Sequence, residues 1–192
     1  MRQTGRIVVE LSDWELVLKC QAGDMGAFQE LVLRYHQKIF LVIIGLLRNR
    51  EDALDVAQEV FFRAYRKIKS FQGGSSFYTW LYRIAVNLAI DSQRRQKRTP
   101  LDFRDSMDGL FEKQNEVAKD PFSDVQAREL REKLVAAISD LTPEHKAVII
   151  LRTIEGLSYR DIGEILGCSE GTVMSRLHYA RKKLHEKLSE FL

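Results

Sequence analysis

The sequence predicts an all-α protein, built as two small helical domains joined by an acidic, flexible linker. Three observations support this expectation. Strand-like alternation persists nowhere, apolar residues recur at intervals of three and four, and a capping residue repeatedly precedes such a run. A chain of 192 residues allows one domain or two small ones. Residues 99–125 carry seven acids against three cations and separate two basic stretches, which indicates a spacer between two domains.

The first domain, expected over residues 8–98, contains four predicted helices. Ser12 begins a capping box, and Asp24 caps a long second helix with apolar side chains at three- and four-residue spacing. Asn49 caps the third helix. The fourth helix is expected over residues 77–96, after a loop rich in glycine and serine.

The second domain is expected over residues 125–192, after a linker over 99–124 within which a short helix at 111–118 is conceivable. Thr142 is followed by a proline at the first helical position, which is a typical helix start. Ser158 and Ser169 then cap two helices separated by a short turn that contains glycine. This arrangement predicts a helix-turn-helix, although such pairs also occur in ordinary bundles.

The third predicted helix has one apolar face and one largely acidic face. The acidic face is made by five residues: Asp52, Asp55, Gln58, Glu59 and Phe62. A solvated face explains the acids, and spacing alone favours that interpretation. A docking surface for a basic partner helix explains why an apolar ring lies among them.

An aromatic and glycine-rich stretch precedes the fourth helix. Its candidate contacts to DNA are Phe71, Ser75, Ser76, Phe77, Tyr78 and Trp80. Aromatic rings supply flat surfaces on which unpaired bases stack, and a flexible loop beside them can accept an extruded base. The alternative is that the rings form part of the hydrophobic core.

A basic row continues along the fourth helix. Residues 83–98 carry five cations against one acid, and the row includes Arg83, Asn87, Arg94 and Arg95. Arginine contacts phosphates and asparagine can bond base edges, so the row is suited to DNA. A solvated helix face would show a similar pattern.

The last predicted helix carries the second basic cluster, with five cations against one acid over residues 171–187. Its outward residues are expected at the N-terminal end, where a major-groove helix contacts bases. The candidate contacts are Glu170, Gly171, Thr172, Met174, Ser175, Arg176, His178, Tyr179, Arg181 and Lys182. Of these, Arg176, Arg181 and Lys182 are placed for phosphates.

Composition argues against several other classes of protein. The two cysteines stand apart, and the four histidines lack metal-ligand spacing, so we expect a reduced cytosolic protein without a metal site. No nucleophile–base pair or phosphate-binding glycine loop is evident, so we predict no catalytic residue, no cofactor and no small-molecule substrate. The sequence contains neither a signal-peptide pattern nor an apolar run long enough for membrane insertion.

Three motifs, in this order, resemble a bacterial extracytoplasmic-function sigma factor, the compact class of transcription initiation factor. They are DALDVAQEVFFRAYRKI at 52–68, SSFYTWLYRIAVNLAID at 75–91 and LSYRDIGEILGCSEGTVMSRLHYARKKL at 157–184. The resemblance extends over nearly everything from Leu11 to Leu188. It implies a sigma region 2 domain and a sigma region 4 domain with a tether between them.

The resemblance implies a role for each surface. The acidic face of the third helix matches the surface that grips the β′ coiled coil of core RNA polymerase, so docking replaces solvation as the favoured interpretation of that face. The 71–77 loop and the helix with Arg83 and Asn87 match the part that captures a flipped base of the single-stranded −10 element. The helix from Glu170 matches the reader of the duplex −35 element, and the linker matches the segment threaded into the polymerase.

The class also implies partners and a location. Core RNA polymerase, through its β′ and β subunits, and promoter DNA are the expected partners. An anti-sigma factor is expected to hold such a protein inactive in a stress or envelope response. The protein is expected in the cytoplasm, or held at the membrane through that partner.

Two positions depart from sigma-factor patterns. Trp80 is followed by Leu81 where housekeeping sigma factors carry a second tryptophan, so weaker promoter melting is expected. Met174 and Tyr179 stand where relatives often carry cations, so the upstream consensus cannot be transferred. Two alternatives remain at this stage: a stand-alone helix-turn-helix regulator that ignores Asp55→Arg, and, more distantly, a nucleic-acid enzyme.

Overall fold

The structure is a computed structural model that describes residues 11–96 and 133–189. Within these ranges the regular elements are all helical, which confirms the predicted fold class. The expectations for the linker, its short helix and the start of the second domain fall on residues outside the described ranges. The same holds for the basic residues at 97 and 98.

The N-terminal part forms four α-helices. They are α1 (Asp13–Gln21), α2 (Met25–Leu47), α3 (Arg50–Lys67) and α4 (Phe77–Gln96), with a 3-10 turn at Ile68–Ser70 after α3. The predicted caps are present: the Ser12 hydroxyl accepts from the Glu15 amide, the Asp24 carboxylate from Gly26 and Ala27, and the Asn49 side chain from Asp52. These bonds satisfy amides at the first turn that have no partner within the helix.

Helices α2, α3 and α4 pack on one another, and α1 lies across α2. Their shared core contains Leu31, Ile39, Val60, Leu81 and Ala85, each almost fully excluded from solvent. Burial of these side chains is the main driving force for the bundle. The 72–76 loop connects the 3-10 turn to α4 and therefore lies at one end of this packed bundle.

Four more helical segments lie within residues 133–189. Residues 133–139 are helical (α5), followed by α6 (Pro143–Thr153), α7 (Tyr159–Leu166) and α8 (Glu170–Leu188). Helices α7 and α8 form the predicted helix-turn-helix, packed through Ile162, Ile165, Val173 and Leu177. Gly167 has φ +64°, the left-handed conformation that ends α7 and that glycine adopts at little cost.

The two parts pack against each other in a closed arrangement. Helix α4 lies against α7, and α2 lies against α6, where a Cβ added at Gly45 would come within 3.0 Å of the Ile150 Cδ1. The Tyr82 hydroxyl donates a 2.7 Å hydrogen bond to Glu155 across this interface. None of the helices in the described ranges is long and apolar enough to cross a bilayer.

Candidate nucleic-acid and polymerase interfaces

The aromatic side chains around the 72–76 loop form one connected cluster. Phe71 and Phe77 are buried, with 7% and 5% of their surface exposed, so they present no free flat surface to a base. Trp80 is half-buried and packs on both, with ring centroids at 5.0 Å from Phe71 and 5.7 Å from Phe77. The prediction that unpaired bases stack on Phe71 and Phe77 therefore needs correction. Both rings are part of the hydrophobic core beneath the loop.

The two serines of the loop differ in their environment. The Ser76 hydroxyl accepts a 3.2 Å hydrogen bond from the Thr79 amide and lies 2.7 Å from the Thr79 hydroxyl, so it caps α4. Ser75 is half-buried, and its hydroxyl bonds the Ser76 carbonyl at 3.3 Å. Ser76 consequently serves the start of the helix, and its hydroxyl is less available to DNA than the sequence indicated.

Helix α1 holds this loop in a way that sequence patterns did not reveal. The Gln21 side-chain amide donates to the carbonyls of Ile68 and Phe71, at 2.9 and 2.8 Å. Trp14 packs edge-on against Phe71, with ring centroids 6.2 Å apart, and its ring also lies against Gly73. No periodic or capping signal links α1 to a loop more than fifty residues away in sequence.

The basic row of α4 faces the C-terminal part of the chain at two positions. The Arg83 guanidinium donates to the Glu164 carbonyl on α7 through Nε at 3.0 Å and Nη2 at 2.5 Å. Arg94 forms a 3.1 Å ion pair with Glu144 on α6. Asn87 and Arg95 are exposed. The row was expected to be open either to DNA or to water, but in this arrangement it also joins the two parts of the protein.

Two tyrosines complete the contact between α4 and the C-terminal part. Tyr82 is almost fully buried, and burial together with its hydrogen bond to Glu155 raises the pKa of its hydroxyl far above the usual range. Tyr78 is half-buried and packs edge-on against Tyr82 at 5.7 Å. Burial raises the pKa of Tyr78 as well, aided by the nearby carboxylate of Asp161. Both tyrosines are therefore neutral hydrogen-bonding groups at physiological pH.

The acidic face of α3 is open at most of its positions. Asp55 and Gln58 are exposed, and Asp52 is half-buried beside the Asn49 cap. Glu59 pairs with Arg63 at 2.6 Å on the same helix. Phe62 is 55% exposed, and the Arg66 guanidinium lies 5.6 Å from its ring centroid. An exposed aromatic ring beside carboxylates is typical of a surface that another protein covers.

Helix α8 presents most of its predicted contact residues to solvent. The exposed members are Glu170, Gly171, Met174, Ser175, His178, Tyr179, Arg181 and Lys182. The α8 side chains buried against α6 and α7 are Val173, Leu177 and Ala180, so the two faces separate as the spacing predicted. The basic residues on the exposed face follow the first turn, an arrangement suited to a helix lying in the major groove.

Three of the predicted α8 contacts have neighbours within the protein. Thr172 is half-buried in the cap, with its hydroxyl 2.9 Å from that of Ser169. Arg176 is half-buried, and its Nη1 lies 3.8 Å from the Cys168 sulfur. Tyr179 is 51% exposed, and its ring packs at a tilt against the His145 ring, with centroids 4.7 Å apart. Burial, and then the charge of Arg176, lowers the pKa of His145. If these three side chains contact DNA, they do so while already positioned by neighbours within the protein.

Candidate sites for metals or reactive thiols are scarce. Across residues 11–96 and 133–189, no group of three His, Cys, Asp or Glu side chains is placed to hold a metal ion. Cys20 is buried, and burial raises the pKa of its thiol, which disfavours the nucleophilic thiolate.

Comparison with known families and proteins gives a consistent result. Residues 31–99 match sigma-70 region 2, and residues 131–184 match sigma-70 region 4. The RNA polymerase sigma-H factor of Pseudomonas aeruginosa is 38% identical over 97% of this chain and 98% of its own length. The ECF RNA polymerase sigma-E factor of Haemophilus influenzae is 40% identical over 95% of this chain and 98% of its own.

Solved structures share the fold. CnrH, in complex with the cytosolic domain of CnrY, superposes with a TM-score of 0.71 and 24% identity, covering 94% of this chain and 99% of that one. RpoE of Bartonella quintana, in complex with the anti-sigma factor NepR, gives a TM-score of 0.62 and 24% identity, covering 86% and 98%. Two matched sigma regions in order, together with relatives similar over almost the whole chain, place this protein in the extracytoplasmic-function sigma factor family of transcription initiation factors.

Proposed function

We propose that this sigma factor binds core RNA polymerase through the acidic face of α3 and contacts promoter DNA with two separate surfaces. The 72–76 loop, Trp80 and the α4 row take the single-stranded −10 element. The exposed face of α8 takes the duplex −35 element. The chain performs no bond chemistry of its own and acts in the cytoplasm as a specificity subunit. The proposed domains are residues 8–98 and 125–192, with a linker over 99–124.

One observation carries this proposal. Two basic helix faces lie in different parts of the chain. Helix α4 falls in the part that matches sigma-70 region 2, and most of α8 falls in the part that matches region 4. The α3 face belongs to a third helix and exposes Phe62 beside its carboxylates. Complementary charge favours a basic partner surface there, and the exposed ring of Phe62 supplies apolar area that a partner can desolvate.

The closed arrangement requires a change of shape before both promoter elements can be bound. Elements centred near −35 and −10 lie about 25 base pairs apart, or roughly 85 Å along the duplex. A compact chain of this length has a radius of gyration of only about 16 Å. The contacts between α4 and α7 must therefore open, and we propose that binding to the polymerase supplies the free energy for this separation.

An anti-sigma factor is the proposed inhibitor. Both structural neighbours are complexes, one with the cytosolic domain of CnrY and the other with an anti-sigma factor. The exposed apolar side chains Leu54 and Phe62 on α3 supply a surface that such a protein would cover in competition with the polymerase.

Reconstitution with bacterial core polymerase tests the proposal. The purified protein is expected to bind core enzyme and to direct run-off transcription from specific members of a randomised promoter library. Asp55→Arg is expected to weaken core binding at least about tenfold, because repulsion replaces attraction at a basic partner surface. Glu186→Arg, a charge reversal at an exposed acid of α8, is the control and should bind core enzyme normally.

The opposite result is equally informative. A folded protein that neither binds core enzyme nor yields specific transcripts would contradict the proposed docking and would favour a stand-alone helix-turn-helix regulator. Equal core binding by Asp55→Arg and Glu186→Arg would move the polymerase contact away from α3.

A further inference from the structure

Trp14 is the largest side chain on α1, and it lies outside every surface assigned above. It is 45% exposed, whereas Leu16 and Val17, two and three residues further along the helix, are 2% and 0% exposed. Ordinary core residues of α1 are therefore fully enclosed, and Trp14 is not one of them. Its backbone position is fixed by the capping box, in which Ser12 and Glu15 bond each other's amides.

The indole of Trp14 lies directly against the 72–76 loop. Gly73 has φ +74°, and a Cβ added there would approach the Trp14 Cη2 and Cζ3 atoms to 2.9 Å. Real Cβ atoms essentially never approach this closely, so a side chain at Gly73 would force the indole or the loop to shift. A Cβ added at the neighbouring Gly74 would meet nothing within 4 Å. Of the two loop glycines, Gly73 alone is therefore crowded by the indole.

A second residue of α1 acts on the same segment. Gln21, two helical turns after Trp14 and on the same side of the helix, bonds the carbonyls of Ile68 and Phe71. Gln21 fixes the chain where it enters the loop, and Trp14 fixes it at Gly73. The loop is therefore positioned from α1 as well as from α4, where Ser76 caps the helix.

The aromatic contacts connect Trp14 to the other indole near the loop. Phe71 packs against Trp14 at 6.2 Å and against Trp80 at 5.0 Å, so one buried ring supports both tryptophans. Both indoles keep some exposed surface beside the same loop. A site that accepts an extruded base requires a loop held in one shape and an aromatic surface at its edge.

We propose that Trp14 is a specificity-determining positioning residue of the loop, holding Gly73 so that the 72–76 backbone accepts one unpaired base of the melted promoter strand in preference to the others. This inference rests on the proposed function, in which the loop takes the single-stranded element. It adds α1 to that site, and it makes Trp14 and Gly73 a coupled pair whose substitutions do not act independently.

The test is the base preference of reconstituted holoenzyme. Open-complex lifetimes are measured on promoters that carry each of the four bases at every melted position. We expect Trp14→Ala to reduce discrimination at one position by roughly fivefold or more, the low end of what hydrogen bonding to a base edge contributes. Preference at the other positions, and dependence on the −35 element, should be unchanged. Trp14→Phe, which keeps a ring against Gly73, should restore most of the discrimination.

Matched variants separate positioning from general weakening. Leu18→Ala alters an exposed apolar residue one turn further along α1 and should behave as wild type. Gly73→Ala should impair discrimination and Gly74→Ala should not. In the Trp14→Ala background, the additional effect of Gly73→Ala should shrink, because the contact with the indole is gone while the strain of the positive φ remains.

Each contrary outcome has a definite meaning. Equal weakening of Trp14→Ala at all positions, or a base preference identical to wild type, would overturn the role of Trp14. If Gln72→Ala and Ser75→Ala flatten the preference while Trp14→Ala does not, the loop contacts the base and only this inference fails. If neither loop variant alters base preference, the proposed function of the loop fails.

Discussion

The two helices proposed to contact DNA differ in how their basic residues bond to the rest of the protein. On α4, Arg83 bonds a carbonyl of α7 and Arg94 pairs with a carboxylate of α6. On α8, Arg181 and Lys182 lie on an exposed face, beside Met174 and Tyr179, which are each 51% exposed. All four residues of the α4 row are exposed, but Arg83 and Arg94 are bonded to another part of the same chain. On α8, Lys182 instead pairs within its own helix, with Glu186. Side-chain spacing shows which residues share a helix face, but it does not show what packs on that face.

The largest expected effect comes from destabilising the helix-turn-helix that presents the exposed face of α8. In Gly163→Ala, the new Cβ would lie 2.7 Å from the Cys168 carbonyl oxygen, a backbone atom that cannot move aside without opening the turn. We expect the second domain to lose about 1–3 kcal/mol of stability, the usual cost of overpacking. Transcription that depends on the −35 element should fall with it. Thermal unfolding and run-off assays provide the measurement.

The matched control for that variant is Gly171→Ala. A Cβ at Gly171 would meet only the Ser169 hydroxyl oxygen, at 3.9 Å, and alanine is favoured over glycine within a helix. Its unfolding midpoint should equal or exceed that of wild type. A destabilisation as large as that of Gly163→Ala would contradict the steric explanation.

The next largest effect is expected from a variant that disturbs the packing of α2 on α6, between the two parts of the protein. Gly45→Leu places a side chain where Ile150 of α6 already lies, so the closed arrangement becomes overpacked while α2 itself gains helix propensity. Free protein should become more extended in small-angle scattering and bind single-stranded −10 DNA at least about fivefold more tightly. Gln37→Leu, at an exposed position of α2, is the control. Unchanged dimensions in Gly45→Leu would show that the packing of α2 on α6 does not hold the protein closed.

A smaller effect is expected from the ion pair between Arg94 and Glu144. Exposed pairs contribute about 0–1 kcal/mol, so Glu144→Arg should increase the open population only a few-fold. Combining it with Arg94→Glu should restore the closed dimensions, because the charges are exchanged and the pair is retained. Failure of the double variant to close would assign the effect of Glu144→Arg to another contact.

The smallest effect concerns the protonation of His145, whose ring packs against Tyr179 of α8. Burial and the positive charges of Arg176 and Lys183 lower the pKa of His145 below its ordinary 6.5, against the opposing charge of Glu144. The folded state therefore binds this proton less readily than the unfolded state. Its contribution to stability is complete above the ordinary pKa and is lost as pH falls toward the lowered value. Between about pH 7.5 and 5.5, wild type should lose more stability than His145→Gln does. Parallel losses would remove His145 from the explanation.

Much of the fold was accessible from local signals. The caps at Ser12, Asp24, Asn49 and Ser169 each precede an observed helix, and α4 has its predicted bounds. Such signals are encoded within one helical turn, so they can be recognised without knowledge of the fold. The buried and exposed faces of α8 were also predictable, because its apolar residues recur every three or four positions.

The remainder depended on contacts between distant segments. Phe71 and Phe77 were predicted to be platforms and are buried, because rings from α1, α2 and α4 meet around them. Trp14 and Gln21 reach a loop some fifty residues away, and Glu164 offers Arg83 a backbone carbonyl, which any residue type carries. None of these contacts leaves a pattern in the local sequence. These contacts are determined by how the core packs and by how the two parts of the chain lie against each other.

The hydrogen bond between Tyr82 and Glu155 also has a consequence for the amount of active protein. Under the proposed function, a molecule that holds this contact is unable to bridge two promoter elements, although every residue proposed to contact DNA is present. The apparent affinity for a promoter is then the intrinsic affinity multiplied by the fraction of molecules that are open. If about 1% were open, affinity would be reduced roughly a hundredfold without any change at the DNA interface. Substitutions at this contact would thus adjust the concentration at which the protein begins to act and leave its promoter preference unchanged.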